Sequence, residues 1–138
     1  EIVALGEAWL ALRLPRSAWT HEAHLAATTW LLLRRPDIDA EAELGPMIRR
    51  YNASVGGVND DSQGYHETIT RLFLHGVRLF LADADRARPL HELVNALLRS
   101  PMGKRDADNR RFASAIRQCS TKEFGDNPVE VLNARAKW

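Results

Sequence analysis

The sequence predicts an all-α protein: a single compact helical bundle of about five to seven helices spanning residues 1–138, with its second helix central. Three observations carry this. Apolar residues recur at i, i+3, i+4 and i+7 in almost every segment, the spacing of one face of an α-helix. No Val-, Ile- or Thr-rich run alternates with period two, and no hairpin turn is flanked by such runs. Pro15, Pro36 and Pro101 fall between the periodic segments, where helices stop, and Pro89 suits a helix's first turn. At 138 residues with 45% apolar and 27% charged content, the chain has the size and composition for one hydrophobic core.

The first helix is expected over roughly residues 2–13, with Leu5, Ala8, Trp9 and Leu12 on one stripe and Pro15 as its stop. Ser17 is the expected N-cap of the second, about 18–34, which ends before Pro36. That segment is apolar on nearly all sides: Trp19, Ala23, Ala26 and Trp30 fill one, Leu25, Leu31 and Leu32 the other. Such a helix belongs in the middle of a bundle, so Trp19 and Trp30 are expected to be buried. Asp37 or Asp39 opens the third helix, which runs to about Asn52 with a kink or break expected at Gly45-Pro46.

Residues 53–64 lose the apolar period and crowd Gly, Asn, Asp and Ser together, which reads as the longest loop. The fourth helix follows at about 65–82, with Gly64 and Glu67 in the positions of an incomplete capping box. The fifth, about 89–99, has Pro89 in its first turn. After the break at Ser100-Pro101-Met102-Gly103, a sixth helix is expected at about 106–119, with Phe112, Ala115, Ile116 and Cys119 on one stripe. A short helix at about 128–137 closes the chain after Gly125-Asp126-Asn127-Pro128.

Several function classes are disfavoured by composition. The net charge is +1, which points to neither nucleic acid nor an anionic membrane as partner. Sixteen of the 19 basic residues are arginine, and the pairs Arg34-Arg35 and Arg49-Arg50 fall near expected helix C-terminal ends, where cations are favourable. Uninterrupted apolar runs are a handful of residues long, far short of the ~20 a membrane span needs. No basic stretch leading into an apolar one opens the sequence, so no signal peptide is expected there. The single Cys119 has no internal partner for a disulfide, and the expectation is a cytoplasmic protein. Four tryptophans in a short chain leave apolar surface to cover, which raises a homodimer as an expectation.

The chemistry-bearing residues are histidines. His21 and His24 lie three apart on the second helix, on one face with Leu25 and Thr28. They are almost the only polar groups of an otherwise apolar helix, and enclosed imidazoles need partners. On the fourth helix Glu67, Arg71 and Arg78 form a polar stripe with His75 at its edge, whereas His66 shares the opposite face with Thr70, Phe73, Val77 and Phe80. Three inward imidazoles, His21, His24 and His66, would suit a divalent transition metal, with Zn, Fe, Cu, Ni and Mn all compatible. The spacing is neither H-E-x-x-H nor the E-x-x-H of di-iron bundles. The alternative is a set of core histidines bonded to Thr28, Thr70, Tyr65 or backbone carbonyls.

Glu22, Tyr65 and Thr70 are the candidate catalytic residues, as proton carriers or orienters beside such a site. For Glu22 an ion pair with an arginine is the competing reading. Asn59, Asp60, Asp61 and Ser62 offer oxygens, but their spacing does not fit an EF-hand loop and no bidentate Glu follows. The 56–64 segment is read instead as a lid at the His66 end. His75 and His91 read as structural, and Cys119 as core packing.

The strings Trp19-Thr20-His21-Glu22-Ala23-His24-Leu25, Arg49-Arg50-Tyr51-Asn52 and Gly64-Tyr65-His66-Glu67-Thr68-Ile69-Thr70 resemble a family of small bacterial all-helical proteins with no established activity. The resemblance spans roughly residues 5–100 and does not extend to the remainder. It implies the fold class and draws attention to the same histidines. Two functions follow as expectations. One is a metal-dependent enzyme acting on a small molecule through the three histidines. The other is a non-catalytic helical module that binds a ligand or partner and keeps its histidines for structure.

Overall fold

Helix α1 (Ile2–Leu10) turns its Gly6 and Trp9 inward, and both are buried. It ends three residues short of the expected Arg13, for a local reason. Leu12 adopts a left-handed φ of 57°. The Leu12 N–H then reaches the Trp9 carbonyl at 3.0 Å and the Arg13 N–H reaches the Ala8 carbonyl at 2.8 Å. This is the bonding of a Schellman cap with leucine where glycine is usual. The computed structural model describes residues 1–59, 67–100 and 103, with only the backbone of 67–69.

Pro15 does not cap the second helix directly. A 3₁₀ turn, Arg16–Ala18, intervenes, and helix α2 (His21–Arg34) starts after it. Ser17 is therefore not its N-cap. Thr20 is: it holds extended backbone angles and its hydroxyl accepts the Ala23 N–H at 3.1 Å. The consequence for function is that His21 and His24 fall in the first and second turns. Thr28 and Thr29 sit inside α2 because their hydroxyls donate to the His24 and Leu25 carbonyls, each at 2.8 Å.

Helix α3 (Ala40–Ser54) is capped by Asp39, which accepts the Ala42 N–H at 3.3 Å. It runs unbroken through Pro46, contrary to the expected kink. Pro46 itself faces solvent, while Leu44, Met47, Ile48 and Tyr51 anchor the helix to the core on both sides of it. Beyond α3, Asn59 accepts from the Asn52 side chain at 3.1 Å and donates to the Arg49 carbonyl at 3.2 Å, so its amide is engaged in holding the chain against α3. Helices α4 (Glu67–Asp83) and α5 (Leu90–Arg99) follow, α5 directly after Pro89. The expected helices at 106–119 and 128–137 lie outside the described residues.

Helix α2 packs against α1, α4 and α5, and α3 against α1 and α4. That makes α2 the central helix, as its all-round apolar sequence requires. It contributes to both core clusters. Ala27, Trp30 and Leu31 join Trp9, Leu44 and Tyr51 in one, and Leu25 joins Leu72, Phe73, Val77 and Leu81 in the other. Trp30 is buried as expected, whereas Trp19, in the linker before α2, is half-buried. The five helices and the absence of strands among the described residues bear out the all-α class. Among the same residues no helix is long and apolar enough to cross a membrane.

The α1–α2 crossing depends on Gly6. A Cβ at that position would overlap ring carbons Cε3, Cδ2 and Cζ3 of Trp30. The gain in helix propensity from alanine, about 1 kcal/mol, does not offset driving a methyl group into a rigid buried indole. Gly6→Ala is expected to lower unfolding free energy by about 1–3 kcal/mol in urea titration; an unchanged midpoint would mean the helices separate freely. In the opposite direction, Leu12→Gly relieves a left-handed leucine and is expected to raise stability by up to about 1 kcal/mol.

Candidate functional site

Helices α2, α3 and α4 line a small, partly open cavity of about 20 Å³. Its polar lining is His21, His24 and Thr28 from α2 and Thr70 from α4. Leu25, Leu44, Ile48, Phe73 and Leu74 supply the apolar wall. The face shared by His21, His24, Leu25 and Thr28 is thus the face that fronts the cavity, and Thr70 meets it from α4.

Each imidazole is set by an aromatic ring on a different element. His21, only 8% exposed, meets Phe73 of α4 edge-on, with centroids 5.2 Å apart and planes at 69°. His24, half-buried, lies against the Trp19 indole with centroids 3.9 Å apart and planes at 31°. Trp19 in turn stacks on Trp9 of α1 at 5.2 Å and meets Tyr51 of α3 at 5.1 Å. An aromatic array therefore connects α1 and α3 to the cavity through His24.

Hydroxyl chemistry differs between the two threonines. The Thr28 proton is committed to the His24 carbonyl. Thr70 is 6% exposed and its Oγ1 has no hydrogen-bond partner. A buried hydroxyl in that state carries a desolvation penalty of roughly 1–3 kcal/mol.

The other candidates fall elsewhere. Glu22, one residue on from His21, is exposed and is not among the residues lining the cavity, as the ~100° step between helix neighbours requires. Tyr65 and His66 lie outside the described residues, as does most of the 56–64 segment. His75 is half-buried rather than at an exposed edge, and His91 is exposed. Among the described residues no three His, Cys, Asp or Glu side chains come together in an arrangement able to hold a metal ion.

Two contributions were not read from sequence. Leu44 and Ile48 of α3 close the cavity; their i, i+4 spacing marks an inward face but not which neighbour it meets. Tyr51 is fully buried, and its hydroxyl donates to the Leu14 carbonyl at 3.1 Å, tying α3 to the linker before α2. Comparison with protein-family models, curated proteins and solved structures gives no match to this chain.

Burial raises the Tyr51 pKa above the ordinary phenol value, opposed in part by the charge of Arg16. The folded state therefore retains the proton to higher pH than the unfolded chain. This contribution to stability is complete below about pH 10, the unfolded phenol value, and is lost as pH rises through the folded pKa. Tyr51→Phe is expected to cost about 0.5–1.5 kcal/mol near neutrality through loss of the Leu14 bond. It should also reduce the alkaline loss of stability, measured by chemical denaturation across pH 8–11.

Proposed function

We propose that this protein binds one divalent transition metal in the α2–α3–α4 cavity and uses it on a small molecule. The observation that carries this reading is the shared frontage of two imidazoles, on successive turns of α2, with an unpartnered buried hydroxyl opposite. His66 is the third ligand on the sequence argument alone. Three imidazoles with one open position is the ligand count of a catalytic zinc centre, though imidazole donors serve Fe, Cu, Ni and Mn as well. The metal would polarise a substrate oxygen or lower the pKa of a bound water. Thr70, at the cavity, and Tyr65 are the proposed orienting and proton-carrying groups. Glu22, exposed, is given no step inside the cavity. The same reading takes the protein as cytoplasmic and homodimeric, with neither nucleic acid nor membrane as partner.

A second reading has its own support. Both imidazoles are in aromatic contact, His21 with Phe73 and His24 with Trp19, as histidines kept for packing would be. In that case the protein is a non-catalytic ligand-binding module.

Elemental analysis of untagged protein purified without a nickel column separates the two. The metal reading expects about one equivalent of a transition metal, lost in His21→Ala, His24→Ala and His66→Ala while circular dichroism stays helical. Occupancy should also fall on acidification, as protons compete for the ligating nitrogens. Stable, metal-free wild-type protein would establish the second reading instead.

A further inference from the structure

We infer that the cavity is a subsite for a small anion of no more than about three atoms, held by the Thr70 hydroxyl beside the N-terminal end of α2. The donor is the first argument. Thr70 is buried, lines the cavity and has no acceptor for its proton. An acceptor placed in the cavity removes the penalty of that orphaned group. Thr28 cannot play this part, because its proton goes to the His24 carbonyl at 2.8 Å.

The field is the second argument. His21 is the first residue of the 14-residue α2, so the His21 end of the cavity lies beside the positive end of that helix, and the rest runs along its N-terminal half to Thr28. An imidazole carries an N–H donor in either protonation state. No Asp or Glu is among the described residues lining the cavity, and Glu22, the acidic residue of the first turn, is exposed.

Size sets the third limit. The interior of this partly open cavity, about 20 Å³, takes one or two water-sized groups, and Leu25, Leu44, Ile48, Phe73 and Leu74 make its wall apolar. Azide, formate and hydroxide fit that description; an aromatic carboxylate does not. The inference does not rest on the metal reading, since hydroxyl and helix end are present with or without an ion.

The test uses the full chain, chelator-treated and dialysed into chloride-free buffer, with metal content measured on the same sample. Azide and benzoate are titrated separately while the Thr70 and His21 signals are followed by NMR. Saturable azide binding is expected, with benzoate producing no saturable shift. Thr70→Val, which keeps the shape and removes the donor, should weaken azide about tenfold, whereas Thr70→Ser should stay within about threefold. Without anion, Thr70→Val should melt at or above the wild-type temperature, because it removes an unpartnered buried hydroxyl. Absence of saturation in the wild type, equal azide affinity in Thr70→Val, benzoate binding as tight as azide, or a clearly lower melting temperature for Thr70→Val would each overturn the inference. None of these readouts moves if the protein proves metal-free as purified, so the two proposals fail separately.

Discussion

The missing side chain at Gly6 is the constraint from which the site geometry follows. The Trp30 ring occupies the space a Cβ at position 6 would fill, so α1 and α2 meet at backbone distance. That approach puts Trp9, one turn further along α1, under the linker that leads into α2. Trp19 in that linker then stacks on Trp9, and His24 rests on Trp19. Tyr51 closes the array from α3 and fixes the linker again through the Leu14 carbonyl. The His24 imidazole is thus placed by a chain of ring contacts that begins at a glycine on another helix.

The position of α2 between two cores explains how its polar groups are handled. Thr28 and Thr29 are buried, so their hydroxyls bond back to their own helix. Thr70, on α4, has no such bond and faces the cavity lined by His21 and His24. The two threonine hydroxyls of the central helix are satisfied within it, and the one on α4 across the cavity is not.

Much of this was legible in the residues. The centrality of α2 follows from an apolar surface on all sides, and the cavity face from the three-residue spacing of His21 and His24. Thr70 was legible because periodicity set it opposite the Arg71 and Arg78 stripe. What escaped were features decided by contacts distant in sequence or by backbone angles. Ser17 and Thr20 are both competent caps, and the 3₁₀ turn after Pro15 selects the second. Leu12 carries no signal for a left-handed residue, since glycine is what that position usually shows. Pro46 marks a break by its own chemistry, yet the buried residues flanking it hold α3 continuous. Glu22 drew attention by adjacency to His21, whereas helix geometry sends adjacent side chains apart. The His66 and Tyr65 expectations lie outside the described residues.

The two imidazoles are held by different parts of the fold, and this gives the cavity its mechanical character. His21 is set by Phe73 on α4, while His24 is set by Trp19 in the linker before α2. Helices α3 and α4 are joined by the Glu41–Arg78 ion pair, so the wall of Leu44, Ile48, Phe73 and Leu74 is tied together across those two helices. His24 is joined instead through Trp19 to Trp9 of α1 and Tyr51 of α3. The two imidazoles that front the cavity therefore depend on different contacts, His21 on the packing of α4 against α2 and His24 on the linker and its neighbours in α1 and α3.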